Sequence, residues 1–150
     1  MEAPSTPERV PEHTAPAINE RIERQIEMAV AYYVQHPDEI EDRLAELDRT
    51  WNVERVLEAN AATLALFGTA MTAFVDRRWA VLPLAVTGFL LQHATQGWCP
   101  PLPVLRRLGY RTPQEIEAER YALKAVRGDF RDLPEEGERH QEALQATGRF

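Results

Sequence analysis

One cysteine and four histidines are the side chains of this 150-residue sequence best suited to nucleophilic or metal chemistry. The single cysteine, Cys99, cannot form an intramolecular disulfide or a CxxC zinc or redox motif. A thiol nucleophile needs a nearby base, and His93 lies about 9 Å away along a helix axis. The other histidines, His13, His36 and His140, lack metal-ligand spacing. Without a glycine-rich phosphate loop, GxSxG or HExxH either, the sequence predicts no enzyme, no metal and no cofactor.

Cys99 and His93 nevertheless have alternative roles. Cys99 is interpreted first as a small residue that suits a turn beside prolines, with a reactive or persulfide-accepting thiol as the alternative. Acylation or an intersubunit disulfide is a third role, and a reducing cytoplasm disfavours the disulfide. His93 is interpreted as a neutral hydrogen-bonding partner near a membrane interface, with a functional intramembrane ionisable group as the alternative.

The placement of charge along the chain indicates which elements hold these residues. The 17 basic and 24 acidic residues give a formal charge of −7, which argues against nucleic acid as a partner. Between residues 59 and 105 the only charged side chains are Asp76, Arg77 and Arg78. A soluble helical domain usually carries charge along the outer face of every helix. The middle of the chain does not follow that pattern.

Two nearly uncharged segments, residues 56–75 and 79–98, flank this charged tripeptide. Each would span about 30 Å as a helix, which matches the hydrocarbon core of a bilayer. Trp51, Trp79 and Trp98 lie where tryptophan anchors a helix at the membrane–water interface. The predicted fold class is therefore all-α, a two-helix transmembrane hairpin with amphipathic cytoplasmic helices on both sides and the lipid bilayer as a partner.

A soluble helical bundle is the alternative, because polar residues dilute both segments. It is disfavoured because a chain of this size has only two or three other helices to cover two apolar ones. In a hairpin the two antiparallel helices would bring Asn60 to the depth of Gln92, His93 and Gln96. We therefore predict interhelical polar contacts among these four residues.

Basic residues near the segment ends predict the orientation of the hairpin. Two arginines lie in the turn and six lie at the open end: Arg77 and Arg78 against Arg43, Arg49, Arg55, Arg106, Arg107 and Arg111. An excess of arginine marks the cytoplasmic side, so both termini are expected in the cytoplasm. The first residues lack a basic region and an apolar core, so no cleaved signal peptide is expected. The predicted location is the inner membrane, with more than one pass.

The flanks divide the rest of the chain. Residues 1–16, with four prolines, are predicted to be a disordered tail, and residues 17–50 to form amphipathic cytoplasmic helices. The hairpin unit covers residues 51–112, and residues 113–150 follow as a cytoplasmic helix, ending near Arg127, and a tail. Because the first flank is acidic, it is disfavoured as a binder of anionic lipid. Pairing with protein is favoured, and a homo-oligomer is expected alongside an unknown protein partner.

Two short motifs resemble a known family. Gly97-Trp98-Cys99-Pro100, followed by residues 105–112 (LRRLGYRT), is similar to the end of the second helix in the YgaP-like inner-membrane domain. The Glu54-Arg55 pair is similar to the family's motif at the start of its first helix. The similarity covers roughly residues 47–112, with extra residues between Pro100 and Leu105. The resemblance implies a two-helix membrane domain of no established general function.

Some members of that family carry a rhodanese domain that moves sulfur on a cysteine. The residues before Trp51 contain no cysteine, so that activity is not carried over. The sequence predicts a non-enzymatic bacterial membrane anchor or interaction module. A membrane accessory to sulfur handling through Cys99 is one alternative, and a soluble α-helical binding protein is the other.

Overall fold

The computed structural model describes residues 6–131, which are mostly helical and contain no strand. Seven α-helices form: α1 (Thr6–Glu12), α2 (Pro16–Gln35), α3 (Ile40–Arg49), α4 (Val53–Phe74), α5 (Val81–Gln96), α6 (Leu102–Arg107) and α7 (Pro113–Arg127). Two 3₁₀ turns, Pro37–Glu39 and Arg77–Ala80, precede α3 and α5. The all-α class is confirmed. Most of the predicted C-terminal tail, residues 132–150, lies outside the described residues.

The chain divides into two compact units, and the division falls inside α2. Among the described residues, the first unit contains residues 6–22 and 51–113, and the second contains residues 23–50 and 114–131. The sequence placed its boundaries at 50/51 and 112/113. It did not anticipate that residues 6–22 belong with the segment that begins at Trp51.

In the first unit, α4 and α5 pack against each other, and local signals fix where each begins and ends. The Asn52 side chain caps α4 by accepting from the Arg55 amide at 2.7 Å. Asp76 caps the 3₁₀ turn that precedes α5, because its side chain accepts a hydrogen bond from the Arg78 amide at 2.7 Å. Gly97, with φ of +70°, terminates α5 in the left-handed conformation that favours glycine.

One end of the α4–α5 pair carries the core of this unit. Its buried members come from four parts of the chain: Val10, Val53, Leu57, Cys99 and Leu102. Val10 is part of α1, where a disordered tail was expected. The structure corrects that expectation for residues 6–16, because Val10 and Thr14 are both buried. Residues 1–5 lie outside the described residues.

Arg106 joins the N-terminal segment to α6. Its guanidinium is completely buried and donates to the Thr14 hydroxyl at 3.2 Å, the Asn19 side-chain oxygen at 3.0 Å and the Tyr110 carbonyl at 3.1 Å. A buried cation is costly unless its donors are satisfied. Asn19 is fixed in turn, because its amide donates to the Pro11 carbonyl at 2.9 Å. These bonds hold α1 and the start of α2 in the first unit.

The second unit has its own core and a buried ion pair. The core joins α3 to α7 through buried aliphatic residues, with α2 packed against them: Ile40, Leu44, Leu47, Ile116, Leu123, Val30, Tyr33 and Val126. Glu119 is fully buried and accepts from Arg43 at 2.8 Å. Burial by itself lowers the pKa of Arg43. The hydrogen bonds to Glu119 and Glu46 raise this pKa by more than burial lowers it, so the net shift is upward. The amphipathic flanks therefore pack with each other.

One helical stretch among the described residues, Pro37–Phe74, is long and apolar enough to cross a membrane. Only 22% of its apolar window is buried inside the protein. The apolar part of this stretch is α4. By itself α5 has 16 residues, about 24 Å, and falls short of the usual span. The sequence predicted two spans, and one of them meets these criteria.

Candidate functional site: the buried end of the α4–α5 pair

Cys99 lies in the core at the buried end of the α4–α5 pair, with 1% of its surface exposed. Burial raises the pKa of its thiol, although a backbone hydrogen bond with Leu102 acts in the opposite direction. The thiol is therefore held in its protonated form at neutral pH. The His93 Nδ1 atom has no hydrogen-bond partner within residues 6–131, so it makes no hydrogen bond to this thiol. This arrangement suits packing better than nucleophilic chemistry.

An apolar cavity of about 400 Å³ lies between α4, α5 and the segment around α6. Its lining comes from α4 (Leu57, Asn60, Ala61, Leu64), α5 (Val86, Phe89, Leu90) and the following segment (Cys99, Pro101, Val104, Leu105). Asn60 supplies the one polar side chain, and its amide nitrogen already donates to the Val56 carbonyl at 2.8 Å. The cavity therefore offers shape and a surface that is apolar apart from Asn60.

A second cavity, of about 390 Å³, lies on the other side of Leu57 and Leu90 and has a charged rim. His93 from α5, Glu54 and Glu58 from α4, and Arg9 from α1 line it. Histidine and carboxylates can bind metal, but no group of three such residues within 6–131 is arranged to do so. The structure offers no candidate metal centre in the part of the chain that it describes.

The four predicted interhelical polar residues do not bond to one another. Asn60 donates to its own helix, as described above, while Gln92 is half-buried and Gln96 is exposed. His93 faces the second cavity, whereas Asn60 lines the first. Asn60 therefore bonds inside its own helix instead of across the helix pair, as polar side chains of this length do readily.

The three tryptophans occupy different environments. Trp51 is exposed and lies under the Arg55 guanidinium, 4.5 Å from its ring centroid. Trp79 is exposed and meets Phe67 edge to face at 5.9 Å between centroids. Trp98 is half-buried and packs against the core that contains Cys99. Trp51 and Trp79 have the half-exposed setting that suits an interface anchor, and Trp98 also supports the core.

Two features of this end of the molecule have no clear signal in the sequence. α1 closes over Gly97, where an added Cβ would overlap the Arg9 side chain. In the sequence, Arg106 is one of several arginines that follow α5, and nothing distinguishes it from the others. In the structure its side chain is fully buried. The only available hint was Val10, an apolar residue within an otherwise polar, proline-rich segment.

Comparison of the chain with family models, curated proteins and solved structures finds no match. The resemblance to the YgaP-like domain therefore depends on the motifs quoted above.

Proposed function

We propose that this protein is a non-enzymatic anchor or interaction module of the bacterial inner membrane. In this proposal α4 and α5 form a YgaP-like transmembrane hairpin, both termini lie in the cytoplasm, and the second unit presents a surface to protein partners or to other copies of the chain. The lipid bilayer is the principal partner. The location, the topology and the oligomer are parts of the same proposal.

The observation that carries the proposal is the apolar surface of the α4–α5 pair. Ten large apolar side chains between residues 64 and 91 are exposed: Leu64, Leu66, Phe67, Phe74, Val75, Trp79, Val81, Leu84, Phe89 and Leu91. Phe74 is 88% exposed and Leu66 is 74% exposed. Contiguous apolar surface of this extent is rare on soluble monomers. Contact with hydrocarbon instead of water would remove the free-energy cost of exposing this apolar surface.

The polar residues of the two helices are compatible with that environment. Five threonines donate their hydroxyls to the carbonyl four residues earlier at 2.7–2.9 Å: Thr63, Thr69, Thr72, Thr87 and Thr95. Asn60 does the same with its amide. A polar group in lipid must be satisfied within the protein. Each of these six side chains therefore donates one hydrogen bond within its own helix.

The lengths of the helices also agree with a bilayer. α4 has 22 residues and extends about 33 Å. α5 reaches about 32 Å once the four residues of the preceding 3₁₀ turn are added at about 2 Å each. The hydrocarbon core is about 30 Å thick. α4 is therefore long enough by itself, and α5 reaches this thickness only together with the turn that contains Arg77 and Arg78.

The membrane role is tested by placing one charge in the apolar surface and one outside it. Leu66→Arg changes an exposed residue near the middle of α4, and the matched Val34→Arg changes a 55% exposed residue of α2. In a bilayer the first change costs about 2.5–3.5 kcal/mol of insertion free energy, while the second costs none of it. The measurement is the fraction of full-length protein that stays in membranes after an alkaline carbonate wash.

We expect the wild type and Val34→Arg to resist the wash and Leu66→Arg to be released or degraded. Release of the wild type, or equal behaviour of the two variants, contradicts the membrane role and favours the soluble binding protein. Reporter fusions at either end test the cytoplasmic termini. The sulfur-accepting alternative is weakened by the burial of Cys99, and a persulfide signal that Cys99→Ser abolishes would revive it.

A further inference from the structure

We infer that the apolar cavity between α4, α5 and the Cys99–Leu105 segment binds one acyl chain of a membrane lipid. This inference rests on the proposed membrane role, because it requires the cavity to open into hydrocarbon. Its volume of about 400 Å³ lies within the usual range of ligand pockets, about 300–1,000 Å³.

The buried wall of the cavity excludes a polar ligand. Leu57, Ala61 and Cys99 form its buried side, and burial keeps the Cys99 thiol protonated by raising its pKa. The amide nitrogen of Asn60 is occupied by the Val56 carbonyl. A polar ligand would lose its water and meet an almost entirely apolar wall, whereas a hydrocarbon chain has no hydrogen bonds to lose.

The rim of the cavity determines what can reach it. Leu64, Phe89 and Val104 line the cavity and are exposed, and the first two belong to the apolar surface of the α4–α5 pair. A molecule that enters must therefore cross apolar surface. In a bilayer the molecules in contact with that surface are lipid acyl chains.

The short helix α6 adds a cation beside the same rim. Arg107 follows Val104 by three residues, and both are exposed, so they share one face of α6. A lipid whose chain enters beside Val104 can place its phosphate near Arg107. Charge complementarity of this kind favours an anionic phospholipid.

The test uses the full chain reconstituted in bilayers that contain a phosphatidylglycerol with a photoactivatable diazirine on one acyl chain. After illumination, peptide mass spectrometry locates the labelled residues. We expect labels on the buried walls at Leu57 and Cys99, in addition to labels on exposed Phe74 and Val81. Labels confined to the exposed residues overturn the inference, whether the cavity is empty or is filled by a second copy of the chain.

Two substitutions by tryptophan test whether the labelling of the buried walls depends on the cavity. Ala61→Trp fills the cavity, and we expect it to reduce labelling of the buried walls about tenfold, because the space is then occupied. Ala62→Trp, at the exposed neighbouring position, is the control and should leave the labelling unchanged. Equal labelling in the two variants contradicts the inference. If Ala61→Trp does not fold, the wild-type labelling pattern still decides the question.

Failure of this inference is distinguishable from failure of the membrane role. If the protein does not reside in the bilayer, exposed Phe74 and Val81 escape labelling as well. If it does reside there without binding an acyl chain, those two residues are labelled and the buried walls are not.

Discussion

Gly68 of α4 lies directly against Pro83 of α5. A Cβ built at position 68 would come 2.6 Å from the Pro83 Cδ atom and 3.1 Å from the Leu82 Cβ atom. The proline ring is rigid, so it cannot move away as the end of a flexible side chain would. The absence of a side chain at position 68 is what permits this close approach of the two helices.

Replacing this glycine by alanine is expected to destabilise the α4–α5 pair. Overpacking at such a contact costs about 1–3 kcal/mol. Gly88 of α5 is the matched control, because a Cβ there meets no atom within 4 Å. Gly88→Ala should be neutral or stabilising by up to about 1 kcal/mol, from helix propensity. Thermal unfolding of the purified protein in detergent measures both, and a shift of the same sign in both variants contradicts the prediction.

Asn60 and Gln92 are expected to act independently. The Asn60 amide is bonded inside α4, so the Asn60→Leu and Gln92→Leu changes should add in the double variant. Their coupling free energy should stay below about 0.5 kcal/mol, as for sites that share no contact. Unfolding of the two single variants and the double variant gives this number. A coupling above about 1 kcal/mol would restore the interhelical bond that the sequence suggested.

Arg106→Met is expected to release the N-terminal segment. It removes the donors to Thr14, Asn19 and the Tyr110 carbonyl, and each buried acceptor left unsatisfied costs about 1–3 kcal/mol. A glutamate-specific protease should then cut faster after Glu12 and Glu20.

The control for this experiment is Arg107→Met. The Arg107 side chain is exposed, and the contact that it makes to Arg21 uses its backbone carbonyl, which the substitution retains. Cleavage in this variant should match the wild type. Unchanged cleavage in Arg106→Met would mean that the guanidinium does not hold the segment in place.

The buried carboxylate of Glu119 pairs with Arg43 in the second unit. Arg43→Met removes this partner at 2.8 Å, and we expect a loss of about 3 kcal/mol because a buried charge loses a compensating ion pair. Arg120→Met removes a pair with Asp48, whose side chain is 60% exposed, and should cost less than about 1 kcal/mol. Urea unfolding compares the two variants, and equal losses would contradict the assignment.

The thiol of Cys99 should react slowly in the folded protein and with a shifted pH dependence. Burial raises its pKa above that of the unfolded chain, so the thiol contributes stability below the unfolded pKa and loses that contribution as pH rises toward the folded pKa. Alkylation by iodoacetamide at pH 8 should be at least about tenfold slower than in the denatured chain. Val10→Ala should accelerate it, because Val10 packs in the same core, whereas Val34→Ala should not. Rapid alkylation of the folded wild type would contradict the buried assignment.

The sequence determined the local elements of this protein. The nearly uncharged segments at 56–75 and 79–98 correspond to α4 at 53–74 and α5 at 81–96, and the proline after Thr112 marks the start of α7. These signals are readable because hydrophobicity, capping residues and helix-breaking residues act within a few positions along the chain. The burial of Cys99 agrees with its first interpretation as a small residue beside prolines, and its reactivity stays a prediction.

The tertiary structure decided how the distant parts of the chain meet. Arg106 bonds to Thr14 and Asn19 across 92 and 87 residues, and these contacts convert a polar, proline-rich segment into part of the first unit. The small size of Gly68 mattered only once Pro83 lay against it. Asn60 satisfied its amide in its own helix once packing left it without a partner across the pair. These contacts depend on which surfaces come together in three dimensions. The spacing of residues along the chain does not determine that.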